Sequence, residues 1–415
     1  MSTEIPARKG TDMAVDGNRA VEGAAGAGLD AADRRALVKM VREFAEREIG
    51  PRVADYDRDE KLPLDILEAM AGLNLFGGVV PVELGGLGLD YVTFAEVIEE
   101  LSTVCHIMGT LASLPSGLVG ASLERYGTPA QQQRWLRPLA EGKIFGAAGV
   151  TEPRSGSDVA GMTTTYRRDG SDFILNGSKA WISNLDVASF FVTFATIDRD
   201  RRHRGVTAFI VPRDTPGLGL HPYKNKLGFR PLSTGEVVLD EVRVAADAVL
   251  GAEGGGFEVA MTAVERGRLG VAARAVGVAQ ACLDDSVAYA REREAFGQPI
   301  SEFQIVQSKI TDMVTGVVTA RLLVKQCAEA LDRGLRARKM TSMAKMYASD
   351  VAMRSATDAI QIHGAAGVSS DYRVGRFFRD AKVLQIVEGS NDLHRALIGE
   401  MQLGLRKDDS EMLVR

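Results

Sequence analysis

Glu388 is an acid whose surroundings suit a base. It follows Leu384-Gln385-Ile386-Val387, a mostly apolar stretch with no charge of its own, and precedes Gly389-Ser390. A carboxyl desolvated in this way holds its proton more tightly, and basicity raised toward neutrality is what general-base catalysis needs. Read alone, the same acid is equally a surface carboxylate before a glycine turn. A second constellation is Val150-Thr151-Glu152-Pro153-Arg154-Ser155-Gly156-Ser157-Asp158. It reads as a strand running into a Gly/Ser loop, whose hydroxyls and free backbone N–H groups suit an anion or the polar edge of a ring. By itself it is also an ordinary capped turn. Cys105, Cys282 and Cys327 lie far apart, and the five histidines are scattered, so neither set has metal-ligand or disulfide spacing. No metal is expected, and sparse cysteines fit a reducing cytoplasm.

The elements that must position these groups fall into three blocks. Asp30 can cap a helix in which Leu37, Met40, Val41 and Phe44 recur before Gly50-Pro51 ends it. Further helices are predicted over Leu64 to Leu73, Phe94 to Leu101 and, after the Thr128-Pro129 start signal, Gln131 to Ala140. Residues 29–143 therefore read as a helical domain. Apolar runs of strand length follow at Ile144 to Val150, Ser189 to Ile197 and Val206 to Val211, with shorter ones at Thr163 to Tyr166, Phe173 to Leu175 and Glu236 to Leu239. Asp169-Gly170 and Asn176-Gly177 favour the positive φ of tight hairpin turns, so residues 144–252 read as a barrel-like antiparallel β domain. The helical period returns in Phe257 to Arg293, Phe303 to Leu331, Ala337 to His363 and Leu393 to Leu403, a four-helix bundle within 253–415. The fold class is α+β, multidomain. No glycine-rich segment joins a strand to a helix in a βαβ unit, so any cofactor must be held by other means.

At 415 residues the chain exceeds one ordinary core. A net charge of −5 gives no general attraction to nucleic acid or anionic lipid. No window is long and apolar enough for a membrane span. Residues 1–28, rich in Ala and Gly with both charge signs and no apolar core, are expected to form a disordered tail.

Five ordered segments resemble the acyl-CoA dehydrogenase family. Val150 to Asp158 is similar to its first signature, and Asn176-Gly177-Ser178-Lys179-Ala180-Trp181-Ile182-Ser183-Asn184 to the strand segment that follows. Tyr289-Ala290, Arg293, Phe296-Gly297 and Pro299-Ile300 match a third, Gln361-Ile362-His363-Gly364 with Arg379-Asp380 a fourth, and Glu388-Gly389-Ser390 the last. The resemblance implies non-covalent FAD and an acyl thioester whose α-proton is removed by Glu388 while hydride leaves the β-carbon. It implies cofactor contacts from Val150, Thr151, Gly156, Ser157, Trp181, Ile182, Ser183, Gln304, Ser390 and Asp392, with Arg293, Phe296, Gln361 and Gly364 reaching the FAD of a neighbouring subunit. Ser157, Glu265, Arg268, Ala148, Val387 and Gly389 are the implied substrate contacts. The other family position for the base corresponds to Gly267, which cannot act as one. A homodimer or homotetramer and an acceptor such as electron-transfer flavoprotein are implied as partners.

Departures from the pattern are informative. Val387 and Ala148 stand where aromatics are common, which widens the site for a bulky, branched or cyclic acyl group. Ser183 replaces a Thr, Ala365 replaces a Gly, and Leu185 stands where Gly is usual. Arg199, Arg201, Arg202 and Arg204 read as a solvated loop or as a dock for the 3′-phosphate of CoA or an acidic acyl-carrier protein. A carrier-linked dehydrogenase, a flavin oxidase or monooxygenase on the same fold, and a non-catalytic interaction protein are the rival readings.

Overall fold

The computed structural model describes residues 29–408 and 410; the expected disordered tail lies outside the described residues. Its first block contains helices α1 (Ala31–Phe44), α2 (Val53–Asp59), α3 (Leu64–Gly72), α4 (Tyr91–Ser113) and α5 (Gly120–Tyr126). Asp30 caps α1 by accepting from the backbone of Ala32 and Asp33. Thr128 and Gln131 form a reciprocal capping box that starts the short helical turns leading to Ala140. α4 is far longer than the predicted segment and breaks at Cys105 (φ −149°, ψ 102°). The break frees the carbonyls of Thr103 and Val104, which accept from Arg373 and Arg376.

The middle block is an eight-stranded sheet of β1 (Phe145–Gly149), β2 (Thr165–Asp169), β3 (Asp172–Ser183), β4 (Ala188–Thr196), β5 (Val206–Pro212), β6 (Leu218–Pro222), β7 (Thr234–Val244) and β8 (Val249–Leu250). The ladder runs β6-β7-β3-β2-β4-β5-β8, mostly antiparallel, while β1 joins β4 in parallel. Asp169 and Asp172 pair across a tight turn, as the Asp169-Gly170 signal predicts. Asn176-Gly177 does not turn the chain. It lies inside β3, opposite a bulge of β7 at Asp240-Glu241, and the Asn176 side chain accepts from the Glu241 N–H.

The last block holds α6 (Gly256–Glu292), α7 (Gln304–Asp332), α8 (Arg338–His363), α9 (Val374–Leu384) and α10 (Asn391–Gln402). The predicted fourth helix of the bundle is α10, and α9, unread in the sequence, is an additional helix that buries Val374, Phe377, Ala381 and Leu384. One hydrophobic core takes in α1, α3 and α4 together with α6, α7, α8 and α9, so the first and third blocks pack as a unit. Asp380 ties all three blocks: it accepts from the Phe229 N–H of the β6–β7 connection at 2.8 Å, and His106 Nε2 of α4 lies 3.2 Å away.

α4 and α6 approach closely because small residues face the seam. A methyl group built on Gly277 would lie 2.4 Å from the Glu99 carbonyl oxygen and 2.7 Å from Ser102 Cβ, both parts of α4. Gly277→Ala should therefore force the helices apart and destabilise the fold by about 1–3 kcal/mol. Urea unfolding of variant and parent measures this, and an unchanged midpoint would contradict the packing described.

Candidate active site

The loop after β1 is anchored from within. Its Thr151 carbonyl accepts from Ala180 of β3 at 2.8 Å. Glu152 points into the sheet, where it accepts from Lys179 Nζ at 2.6 Å, from Thr163 N at 2.5 Å and Oγ1 at 2.7 Å, and from Thr164 N at 3.0 Å. Burial raises the Glu152 carboxyl, but the Lys179 charge and these donors outweigh it and hold the group down at about 2. Glu152 is therefore a fixed anchor. The anchor leaves Gly156 and Ser157 exposed and Ala148, Val150 and Thr151 half-buried. Arg202 pairs with Asp158 at 2.7 Å, and Arg199 donates to the Thr163 carbonyl, so the arginine cluster sits against this loop.

β3 carries a second bulge beside it. Ala180 and Trp181 oppose the single residue Glu236, and Trp181 takes φ +61°. A bulky side chain rarely adopts that backbone, and such outliers cluster at functional sites. The bulge turns the Trp181 ring out of the sheet, 63 % exposed and 4.9 Å from the Tyr223 ring, so it is not a core residue. Ile182 is buried behind it and Ser183 is half-buried.

Glu388 lies in the turn between α9 and α10. Two successive residues, Glu388 (φ +56°) and Gly389 (φ +95°), adopt left-handed backbone. Buried cations hold the carbonyls of that turn: Arg268 Nε donates to Glu388 O at 3.3 Å, and Lys345 Nζ donates to Gly389 O at 2.7 Å and to Asn391 Oδ1 at 2.9 Å. Ser390 caps α10 through Leu393 N, and Asp392 points to solvent in its first turn. The Glu388 carboxyl packs on α6 at Gly267, where a methyl group would come within 3.1 Å of the carboxyl carbon. Burial pushes the carboxyl above the ordinary carboxylate range, against the pull of Arg274, Arg268 and Lys345. The same burial brings Lys345 down to about 7 and His394, beneath the turn, to about 3, so His394 is neutral.

Arg268 is placed differently from the substrate contact expected of it. It is buried, and its guanidinium is engaged by the Glu388 carbonyl and by Ser342 Oγ at 3.2 Å. Glu265, one turn earlier on α6, is half-buried. Arg274, Lys345 and His394 were not singled out in the sequence. Their signal was weak: a charge or a histidine inside a helix does not show which face it takes, although Arg274 stands out amid Ala272, Ala273, Ala275 and Gly277.

The remaining candidates gather elsewhere. Arg293 caps the end of α6, Gln304 opens α7, Gln361 lies in the last turn of α8, and Gly364 ends it at φ +60°. Tyr289 stacks on His363 at 4.2 Å, which joins the ends of α6 and α8. Phe296 takes φ +55°, touches the Phe303 ring and is 98 % exposed. Along the continuous α6, Gly267 and Arg293 are about 39 Å apart at about 1.5 Å per residue. That exceeds the span of one flavin dinucleotide.

A basic carboxylate in a strained, rigidly held turn can take a proton from carbon. An exposed indole beside hydroxyl-bearing strand ends fits a planar heterocycle with a polar edge, the features a flavin ring presents. Among the described residues no cluster of His, Cys, Asp and Glu is arranged for a metal, and no helix is long and apolar enough to cross a membrane.

Comparison with known proteins agrees with this geometry. Residues 31–143, 147–242 and 254–403 match the family models of the acyl-CoA dehydrogenase N-terminal, middle and C-terminal domains. The human mitochondrial short-chain specific acyl-CoA dehydrogenase is 38 % identical over 362 residues, 87 % of this chain and 88 % of that protein. The structure of butyryl-CoA dehydrogenase from Megasphaera elsdenii superposes with a TM-score of 0.87 at 35 % identity, covering 89 % of this chain and 98 % of the other. A prolyl acyl carrier protein oxidase, AnaB, gives a TM-score of 0.86 at 30 % identity over 89 % of this chain and 98 % of its own. The chain belongs to the acyl-CoA dehydrogenase family and is an FAD-dependent oxidoreductase acting on the CH–CH group of acyl-CoA thioesters.

Proposed function

We propose that Glu388 is the base that starts this reaction. The observation that carries the proposal is its carboxyl, raised by burial and lodged against Gly267 in a turn held by Arg268 and Lys345. A thioester α-hydrogen is far less acidic than a carboxylic acid, so it needs a positioned base of raised basicity and a donor for the developing enolate oxygen. The Glu388 backbone N–H has no acceptor among the described residues and supplies such a donor. The α-proton passes to the Glu388 carboxylate as the α,β double bond forms. FAD, when bound, accepts the hydride that leaves the β-carbon. Val150, Thr151, Gly156, Ser157, Trp181, Ile182, Ser183, Ser390 and Asp392 hold the cofactor from this chain.

Arg293, Phe296, Gln304, Gln361 and Gly364 serve the FAD of a second subunit, since they lie too far from Glu388 to share its cofactor and Phe296 is bare in the single chain. The protein accordingly acts as a homodimer or homotetramer. Half-buried Val387 and Ala148 leave width near the reacting carbons for a bulky, branched or cyclic acyl group. Electron-transfer flavoprotein is the proposed acceptor. The three cysteines are buried free thiols, which suits a cytoplasmic setting.

Glu388→Gln should retain FAD and bind thioester yet bleach the flavin about a thousandfold more slowly in anaerobic stopped flow, because a near-isosteric amide cannot accept the proton. Gly267→Glu added to that variant should restore part of the rate, since its side chain enters the space beside residue 388. Near-parental bleaching by Glu388→Gln would show that another group is the base.

The pH dependence has a definite sign. Protonated Glu388 cannot act, so the bleaching rate should rise with pH through a midpoint above the ordinary carboxylate range. A midpoint at the ordinary carboxylate value would contradict the burial of this group.

Arg293→Ala should weaken FAD retention while leaving helical content unchanged, because each charge-assisted hydrogen bond to pyrophosphate is worth about 1.5–3 kcal/mol. Flavin release during gel filtration measures it, and parental retention would remove Arg293 from the cofactor site.

A further inference from the structure

A second buried charge stands on the α6 face that carries Gly267. Residues 267, 270 and 274 follow the three- and four-residue spacing that aligns side chains along a helix. This face meets the last turns of α4, where a methyl group on Gly270 would lie 3.2 Å from Ser113 Cβ. Arg274 extends into that seam. Its Nη1 donates to Thr110 Oγ1 and its Nε to the Gly270 carbonyl at 3.2 Å. Gly109 makes room for the stem, since a methyl group there would come within 3.3 Å of Arg274 Cγ. The residue is 5 % exposed.

The company this arginine keeps is unusual. A guanidinium has five donors and keeps its charge, and a buried one normally meets a carboxylate. Among the described residues no acid lies within ion-pair distance of Arg274, and Nη2 finds no acceptor. The carboxylate whose charge reaches it is Glu388, which also feels Arg268 and Lys345. Arg268 also faces Glu265 and Lys345 also faces Asp350, whereas among the described residues Arg274 faces no acid besides Glu388, and a ligand can supply the partner it lacks.

We propose that Arg274, with Thr110 beside it, forms an anion subsite in the acyl-binding region, and that the preferred substrate is an acyl-CoA whose acyl group ends in a carboxylate. This rests on the assignment of Glu388 as base, which fixes the thioester end of the acyl group beside Gly267. The remote carboxylate then meets the planar fork of Arg274, which matches it in a two-bond geometry. An uncharged chain of the same length leaves the cation desolvated and unpaired, so the site selects against it.

The test uses the full-length holoenzyme and anaerobic flavin bleaching with matched thioesters: glutaryl-CoA against pentanoyl-CoA, and adipyl-CoA against hexanoyl-CoA. The parent should reduce its flavin at least about tenfold more efficiently with the carboxylate-ended member of at least one pair. Arg274→Gln should lose on the order of a hundredfold with that substrate and at least about tenfold less with its neutral counterpart, and Arg274→Lys should fall between. Equal or greater efficiency of the parent with both neutral thioesters overturns the proposal. So does an equal loss on both classes in Arg274→Gln, which would mark the residue as a tuner of Glu388. If Arg274→Gln does not fold, the parent's preference within the pairs decides. Failure of the base assignment looks different: Glu388→Gln would then bleach as the parent does, whichever chain is preferred.

Discussion

The structure depends on holding one turn in a backbone conformation it would not choose. Glu388 and Gly389 both take positive φ, and a non-glycine residue held there costs about 1–3 kcal/mol. Charge-assisted hydrogen bonds from Arg268 and Lys345 to the two carbonyls, each worth about 1.5–3 kcal/mol, offset that strain. Much of the helical architecture follows from this need. α6 must run unbroken to present Gly267 and Arg268, α8 must bring Lys345 and Ser342 alongside, and α10 must begin at Ser390 so that His394 lies under the turn.

Charge is handled in opposite ways in the two halves of the site. In the sheet, Lys179 and Glu152 are both sealed from solvent and answer each other, with Thr163 and Thr164 completing the carboxylate's hydrogen bonds. That arrangement is inert and fixes the loop from Thr151 to Asp158. Around Glu388 the balance is incomplete: Glu265 faces Arg268 and Asp350 faces Lys345, but among the described residues no acid pairs with Arg274. Functional sites are where such imbalance is tolerated, because the missing partner arrives with the ligand.

What the sequence revealed was mostly periodic. The long segments from Phe257 onward located α6, α7 and α8 to within a residue, while the first helix, expected to run to Gly50-Pro51, is α-helical to Phe44 and continues as a π-helical stretch to Ile49. Turn chemistry was less reliable. Asp169-Gly170 turns the chain, but Asn176-Gly177, with the same local preference, is kept straight by its pairing with β7. The bulge that exposes Trp181 has no glycine to announce it, and only the resemblance marked that tryptophan as more than core. Arg274 and Lys345 escaped notice because neither resembles a motif and helix faces are assigned by packing partners far away in the chain. The α9 helix was missed because charged residues, Arg376, Arg379, Asp380 and Lys382, interrupt a short apolar face.

The shared core of the outer blocks bears on how the protein is made. Helices α1, α3 and α4 bury their apolar faces partly against α6 to α9, and the β block lies between them in the chain. A ribosome adding about 5–20 residues per second needs on the order of tens of seconds to travel from residue 143 to residue 384. During that interval the first helices have left the exit tunnel without the surfaces that cover them. The sheet can close on itself in the meantime, because two of its apolar clusters are internal to it. The nascent chain therefore passes through a stage with a folded centre and an uncovered leading end, the state in which a chaperone that shields apolar helices would be most useful.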